Sequence, residues 1–382
     1  MDFQLSKKHL LMQELAREFA EKEIKPLARE MDEKERYDLE LLKKLQKYGF
    51  MGIPYSREYG GVGADTLAFT LCMEELCKAD ASTGLTLSVH SSLACYCVES
   101  YGTEEQKQKF LRPLVDGSWV GAFGLTETNA GSDVQGARTI AVRDGEDWIL
   151  NGSKMFTTNA EFADICIVFA LTDRNLPAGK SLTAFIVDLK RDAGVTIGEN
   201  IQRMGVRGAS NSIISYDNVR LPADRVLGQV GKGFKLAMSA LDCGRIGIAA
   251  QAVGLAQGAL DEAIRYGKER KQFGKPINAF QNTQFQMAEM QTKIDAARLL
   301  TWRAAVAKDQ RQPFGQQAAM AKLFASDVAN EVCRFAVQIM GGYGYCREYP
   351  VERMLRDAKV TEIYEGTSEV MKMVISGAMK LK

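Results

Sequence analysis

The sequence predicts a multidomain α+β protein with a helical N-terminal domain, a β-rich central domain and a helical C-terminal domain. Three observations carry this. Apolar residues recur at helical spacing to about residue 116; short β-rich runs broken by Gly, Asp, Asn and Pro then fill residues 119–222; an Ala- and Leu-rich stretch without proline follows Gly233. The expected boundaries are 1–118, 119–225 and 226–382, in keeping with 382 residues at roughly 150 per domain.

Each element has a local reason. In the first domain Leu11, Leu15 and Phe19 follow the i, i+4 rule, Leu41, Leu42 and Leu45 precede a stop at Gly49, and Thr103-Glu104-Glu105-Gln106 has the form of a capping box. In the second, residues 139–143 and 147–150 flank the turn Asp144-Gly145-Glu146 as a hairpin that ends before Asn151-Gly152. Runs at 165–171, 182–187, 195–198 and 213–219 continue the strand pattern, which suits a small barrel or a sandwich. In the third, helices over 234–270, 280–308 and 313–340 pack best as an antiparallel bundle, followed by a short helix near Val351 and a last one from Thr367. A ligand is expected where the domains meet.

Composition narrows the function. Lys and Arg total 49 and Asp and Glu 48, a net charge of +1, so no global field attracts nucleic acid or an anionic membrane. An apolar share of 46% and a charged share of 25% exclude a disordered, collagenous or coiled-coil chain. The eight cysteines stand mostly in apolar surroundings, as in Leu71-Cys72-Met73, and read as buried, reduced thiols of a cytoplasmic protein. The first residues enter an amphipathic helix without a charged leader or cleavage site. The longest apolar run, 165–171, is far below the about 20 residues of a membrane-spanning helix.

With only His9 and His90, a His-rich metal site is excluded, no metal is expected, and a Ser-His or Cys-His nucleophile would have to use one of these two. The acids and bases are therefore carboxylates, or the chemistry belongs to a cofactor. Five motifs could carry it. The segment from Phe123 to Asp133 is dense in Gly, hydroxyl and acidic residues, which suits the edge of a flat ligand and equally a turn-rich linker. Lys154-Met155-Phe156-Thr157-Thr158-Asn159 ends a strand with an aromatic and two hydroxyls. Arg270-Lys271-Gln272-Phe273-Gly274-Lys275-Pro276 closes a helix as a cap or a phosphate clamp. Met340-Gly341-Gly342-Tyr343-Gly344-Tyr345 is glycine-rich, but no strand precedes it. Glu365, between Tyr364 and Gly366 in the break before the last helix, is the carboxylate best placed to enter an apolar pocket, where burial raises its pKa toward that of a general base.

In this order and spacing the motifs resemble the acyl-CoA dehydrogenase family of flavoproteins across the whole chain. The segments 241–249, Leu-Asp-Cys-Gly-Arg-Ile-Gly-Ile-Ala, and 297–305, Ala-Arg-Leu-Leu-Thr-Trp-Arg-Ala-Ala, look like its short-chain, butyryl-CoA branch. The resemblance implies N-terminal helices, a central β-barrel and a C-terminal four-helix bundle, assembled as a homotetramer with one FAD per subunit. By motif, Phe123, Leu125, Thr126, Phe156 and Thr158 embrace the isoalloxazine, Thr158 near N5. Ser132, Asp242, Arg245, Tyr364 and Gly366 meet the acyl-CoA. Arg270, Gln272, Phe273, Gln338 and Gly342 hold the pyrophosphate and adenosine of an FAD bound mainly by a neighbouring subunit, and Thr367 and Glu369 contact the flavin nucleotide.

Glu365 matches the family's catalytic base. Some members place that carboxylate on the long helix at the position of Gly244, where glycine cannot serve. The implied reaction is α-proton abstraction with β-hydride transfer to flavin N5, giving a trans-2-enoyl-CoA, with electrons leaving through an electron-transferring flavoprotein. Bulky side chains between Thr86 and Val98 (Leu87, Val89, His90, Leu93, Tyr96) suit a short acyl chain. Departures from the family pattern are Thr128 where a proline is usual, and Ala209 and Asn211 where hydroxyl residues are common. The alternatives are the same site run as an enoyl-CoA reductase, a flavin oxidase or monooxygenase, which an intact Tyr364-Glu365-Gly366 argues against, and a non-catalytic helical interaction protein.

Overall fold

Helices run from Lys7 to Val115 in the computed structural model, which describes residues 4–380. The capping box forms: Gln106 N–H donates to Thr103 Oγ1 (3.2 Å), and Thr103 N–H donates to Gln106 Oε1 (3.0 Å). Helix Thr66–Ala79 (α1) is almost wholly buried. After it the chain is helical through Ala81–Ser88, a π-helical stretch Val89–Cys95, and Tyr96–Tyr101.

Eight strands follow: Gly121–Gly124 (β1), Ile140–Asp144 (β2), Asp147–Thr158 (β3), Ile165–Leu171 (β4), Leu182–Asp188 (β5), Val195–Ile197 (β6), Asn211–Leu221 (β7) and Val226–Leu227 (β8). They form one sheet in the order β6-β7-β3-β2-β4-β5-β8, with β1 parallel to β4. The apolar run of β4 is buried on both faces, as a continuous apolar strand requires. Ile165, Ile167 and Phe169 pack with the helices. Cys166, Val168 and Ala170 join Trp148, Leu150, Phe185, Ile214 and Val219 from the other strands in a core that continues into the first helices through Phe19, Leu41 and Phe69, so the middle of the chain is a central sheet domain.

Asn151-Gly152, expected to end the hairpin, instead lies inside the twelve-residue β3. The β3–β7 register shifts between Leu150 and Gly152, where Gly152 has φ +141° and Asn151 Oδ1 accepts the Asn218 N–H (2.8 Å). Asn-Gly serves a bulge as well as a turn because both need a backbone that tolerates unusual φ. A second shift, between Lys154 and Thr157, turns Phe156 to φ +56° and leaves it 53% exposed on the sheet.

The remaining helices are Gly233–Glu269 (α2), Gln281–Asp309 (α3), Gly315–Met340 (α4), Val351–Val360 (α5) and Ser368–Ala378 (α6). The centre is α2, which packs on α4, α3 and α1. A Cβ at Gly254 would stand 2.4 Å from the Glu74 carbonyl oxygen, so α1 and α2 touch backbone to backbone only because that position is glycine. Buried ion pairs tie the first domain to the bundle: Arg298 Nη2 to Glu74 Oε1 (2.8 Å) and Arg356 Nη2 to Asp32 Oδ2 (2.7 Å).

Lys154, fully buried on β3, donates to Glu127 Oε1 (2.7 Å) and to the Leu125 carbonyl (3.2 Å), while Glu127 also accepts the N–H groups of Arg138 and Thr139. This pair fixes the loop carrying Leu125 and Thr126 onto the sheet. Burial pushes the Glu127 carboxyl up, and the Lys154 ammonium together with the hydrogen bonds from Arg138 and Thr139 more than offsets it, so Glu127 stays ionised. Lys154→Met strands that charge and should cost about 3–5 kcal/mol in chemical denaturation.

Candidate active site

The chain leaves α5 at Val360 and makes one tight turn before α6. Ile363 N–H and Tyr364 N–H both reach back to the Val360 carbonyl (2.9 and 3.1 Å), after which Glu365 adopts φ +52° and Gly366 φ +101°. Thr367 Oγ1 then caps α6 by accepting the Val370 N–H (3.3 Å). A left-handed conformation costs a non-glycine residue roughly 1–2 kcal/mol and persists only where surroundings enforce it. Two buried cations do so here: Arg245 Nε donates to the Glu365 carbonyl (3.3 Å), and Lys322 Nζ donates to the Gly366 carbonyl (2.7 Å). The Tyr364 hydroxyl donates to Gln251 Oε1, and Gln251 Nε2 in turn donates to the Ala81 carbonyl (2.8 Å), so that side chain anchors the turn and its hydroxyl is not free for a ligand.

This backbone delivers a carboxylate that nothing satisfies. Glu365 as a residue is half-buried, yet both of its carboxylate oxygens are out of contact with solvent and neither has a hydrogen-bond partner. Burial raises its pKa to about 7 against the opposing pull of Lys322 and Arg245. Among the described residues no acceptor meets the Glu365 N–H. An orphaned carboxylate that changes charge near neutrality, beside an unused N–H, suits transfer of a proton to and from a bound carbonyl compound.

Gly244 explains why the carboxylate fits. A Cβ there would lie 2.0 Å from Glu365 Oε2 and 2.9 Å from Leu93 Cδ2, so the two sequence positions that could supply a base converge on one point. One turn along, Asp242 Oδ1 accepts from Arg245 Nη1 (2.6 Å). Beside Cys243 and Ile246, the gap bounded by Tyr55, Phe69, Ser91 and Ser92 is only about 10 Å³, room for at most one water.

The flavin-facing candidates cluster around the bulge in β3. Asn211 Nδ2 donates to the Phe156 carbonyl (3.3 Å) and to Thr158 Oγ1 (3.2 Å), leaving the Thr158 O–H free to donate elsewhere. Phe123 packs on Phe169, with ring centroids 5.1 Å apart, Thr126 is half-buried, and Ser132 is exposed on the loop that follows. The phosphate-facing candidates form a separate patch. Arg270 lies over the Tyr343 ring (5.5 Å), Phe273 has φ +51° and is 93% exposed, and Gln272, Gln338 and Gly342 are exposed. Gly341 and Gly342 have nothing within 4 Å of a Cβ position, an open backbone of the kind that a phosphate can approach. Gly244 and Glu269 are 25 residues apart on α2, about 38 Å of helix axis, so within one chain this patch is remote from Glu365.

Both histidines are occupied elsewhere. His9 Nε2 contacts Asp65 (3.0 Å). His90 Nδ1 accepts the Gly121 N–H (3.0 Å), and its neighbour Cys95 is 3.4 Å away, but burial depresses the imidazole to about 4 and pushes the thiol well up, so the pair is inert at neutral pH. Seven cysteines are buried as free thiols and Cys346 is exposed. Among the described residues no group of three or more His, Cys, Asp or Glu could hold a metal ion, and no helix is long and apolar enough to cross a membrane.

Comparison with known proteins matches residues 6–118, 122–219 and 231–380 to the N-terminal, middle and C-terminal domains of acyl-CoA dehydrogenase. The chain belongs to the acyl-CoA dehydrogenase family. It is 50% identical over 377 residues, 99% of both chains, to "Acyl-CoA dehydrogenase, short-chain specific" of Clostridium acetobutylicum. It is 46% identical, with 99% of each chain covered, to "Caffeyl-CoA reductase-Etf complex subunit CarC" of Acetobacterium woodii. The solved structure of butyryl-CoA dehydrogenase from Megasphaera elsdenii superposes with a TM-score of 0.97 at 47% identity, 100% of both chains covered. The protein is thus a flavin-dependent oxidoreductase, and FAD is its cofactor. The residues present fit that group: an exposed aromatic and a free hydroxyl at the β3 bulge, an open glycine backbone beside a cation, and an orphaned carboxylate in a dry site.

Sequence reasoning missed Lys322, Gln251 and the Lys154–Glu127 pair. Lys322 carried a usable signal, a lone cation in Ala318-Ala319-Met320-Ala321-Lys322-Leu323-Phe324-Ala325, on the apolar face of a helix. The convergence of positions 365 and 244 has a direct test. Moving the carboxylate, as Glu365→Gly with Gly244→Glu, should recover more than tenfold of the turnover lost by Glu365→Gly alone in a steady-state assay. No recovery in a folded, FAD-loaded double variant would mean that the two positions do not share a target.

Proposed function

We propose that the chain oxidises a short-chain acyl-CoA thioester to the trans-2-enoyl-CoA, with Glu365 removing the α-proton. The observation that carries this is the dry, unpartnered carboxylate at the end of a left-handed turn. An α-proton beside a thioester is a very weak acid, so its removal needs a base free of competing hydrogen bonds and a donor waiting for the charge that develops on the carbonyl oxygen. Glu365 is the first and its own N–H the second. Asp242, Arg245 and Ser132 orient the acyl-CoA, with the backbone of Tyr364 and Gly366 lining the thioester. FAD, when bound, supplies the acceptor for the β-hydrogen, which leaves as hydride. Phe123, Leu125, Thr126, Phe156 and Thr158 would hold its ring system, and Thr367 and Glu369 its ribityl side.

The size of the acyl group follows from packing. Leu93 stands beside the carboxylate, and the gap beside Cys243 and Ile246 is small, which favours a compact acyl group.

A complete FAD site needs more than one copy of the chain. Arg270, Gln272, Phe273, Gln338 and Gly342 lie too far along the bundle to reach a flavin near Glu365 of the same chain. They serve a neighbouring subunit in a homotetramer, and the exposed Phe273, Phe285 and Tyr345 supply apolar contact surface. Electrons leave to an electron-transferring flavoprotein, in the cytoplasm. The relative whose name pairs a caffeyl-CoA reductase with an Etf complex favours a second reading, the same site run as an enoyl-CoA reductase, in which Glu365 returns the proton to the α-carbon.

Butyryl-CoA added anaerobically should bleach the flavin band near ~450 nm. Glu365→Gln should keep FAD and bind acyl-CoA but turn over about 10²–10⁴-fold more slowly. In the wild type kcat/KM should climb as pH rises through about 7, where the carboxyl loses its proton, and level off above. Near wild-type turnover by Glu365→Gln contradicts the assignment.

A further inference from the structure

Resting on the assignment of Glu365 as the base, we infer that Lys322 is a positioning residue for the reaction: with Ser326 and Asn330 it clamps the Glu365–Gly366 turn in its left-handed conformation and presents the one ammonium group α4 directs at the carboxylate. These three residues recur every fourth position along α4 and therefore share one face. Each donates to a main-chain carbonyl of the segment that carries the base: Lys322 Nζ to Gly366 (2.7 Å), Ser326 Oγ to Thr361 (2.9 Å) and Asn330 Nδ2 to Ala358 (3.0 Å). The last carbonyls of a helix lack partners within it; the Thr361 carbonyl finds its partner on α4, while the Ala358 carbonyl also accepts from the Thr361 N–H (3.1 Å) and Oγ1 (2.7 Å). Lys322 and Ser326 are fully buried, and Asn330 is half-buried.

A structural hydrogen bond to a carbonyl does not require a charge. A glutamine, or a serine one turn along, makes it without the cost of burying an ammonium, which is several kcal/mol for an ion taken out of water. Among the described residues no carboxylate lies within ion-pair distance of Lys322. Its charge is opposed across the dry site by Glu365, which raises the ammonium pKa while burial depresses it to about 8. The other groups around the carboxylate are Arg245, paired with Asp242 on α2, and the neutral Cys243 and Tyr364; Glu362 and Asp327 lie on the Lys322 side. Lys322 is thus a cation whose removal changes both the shape of the turn and the proton affinity of the base.

The test uses FAD-loaded Lys322→Gln, Lys322→Met and Ser326→Ala, with kcat/KM for butyryl-CoA followed against pH. Both lysine variants should move the midpoint of the rise upward by about one pH unit or more, because a cation that favours the ionised carboxylate is gone. Lys322→Met should also lower the high-pH plateau at least about tenfold, and Lys322→Gln less, since its amide can still reach the Gly366 carbonyl. Ser326→Ala should leave the midpoint in place. If Lys322→Met fails to retain FAD, Lys322→Gln decides the question alone. A midpoint unmoved in Lys322→Gln while Glu365→Gln is inactive overturns the positioning role and leaves the base. An active Glu365→Gln enzyme removes both.

Discussion

A carboxylate kept dry and unpaired is the constraint on which the rest of the site depends. Its ordinary pKa is near 4.5 and burial lifts it to about 7. A folded-state pKa above the unfolded one means that the native state holds its proton more tightly, so stability falls as pH rises between those two values, by an amount on the order of 3 kcal/mol. The left-handed backbone at Glu365 adds its own smaller cost. Such expense persists because cations from two helices hold the turn, Arg245 on the Glu365 carbonyl and Lys322 on the Gly366 carbonyl. The same cations keep the carboxyl from rising further, to a range where it would never be ionised in neutral solution.

The three domains each give this centre something different. The sheet contributes a bulged strand whose irregularity exposes Phe156 and leaves Thr158 a free proton, both braced by Asn211. The first domain contributes the π-helical stretch with Leu93, and the buried partner of α2 that allows only glycine at position 254. The bundle contributes the unpaired carboxylate, its cations and the length of α2, which separates the carboxylate from the Arg270 patch by far more than a side chain can reach. If both sets of residues serve one FAD, as proposed above, that separation requires a neighbouring subunit to supply the second set.

Much of the architecture was legible because it is written locally. The capping box at Thr103, the hairpin around Gly145 and the unbroken helix through residues 234–270 follow from spacing and propensity alone, and each formed as expected. Asn151-Gly152 was misjudged because the same backbone freedom that makes a turn also makes a bulge, and only the partner strand β7 selects between them. At the site, Glu365 stood out from 48 acidic residues through its Tyr-Glu-Gly setting and the family resemblance. That its carboxylate occupies the space left by Gly244 is a tertiary fact, absent from either segment by itself. The clamp was only partly visible: Lys322 is marked by its place on an apolar face, but Ser326 and Asn330 look like incidental polar residues on an Ala-rich helix until the carbonyls that all three meet, some 28 to 44 residues later, are known.

Proton acceptance by Glu365 can be isolated from electron transfer. Phenylacetyl-CoA has an acidic α-position and no β-hydrogen to give up, so in deuterated buffer the oxidised enzyme can only exchange its α-hydrogens, which mass spectrometry counts directly. Exchange by the wild type should switch on as the solution passes about pH 7, and Glu365→Gln should show none above background. Equal exchange by the two proteins would contradict proton acceptance by Glu365.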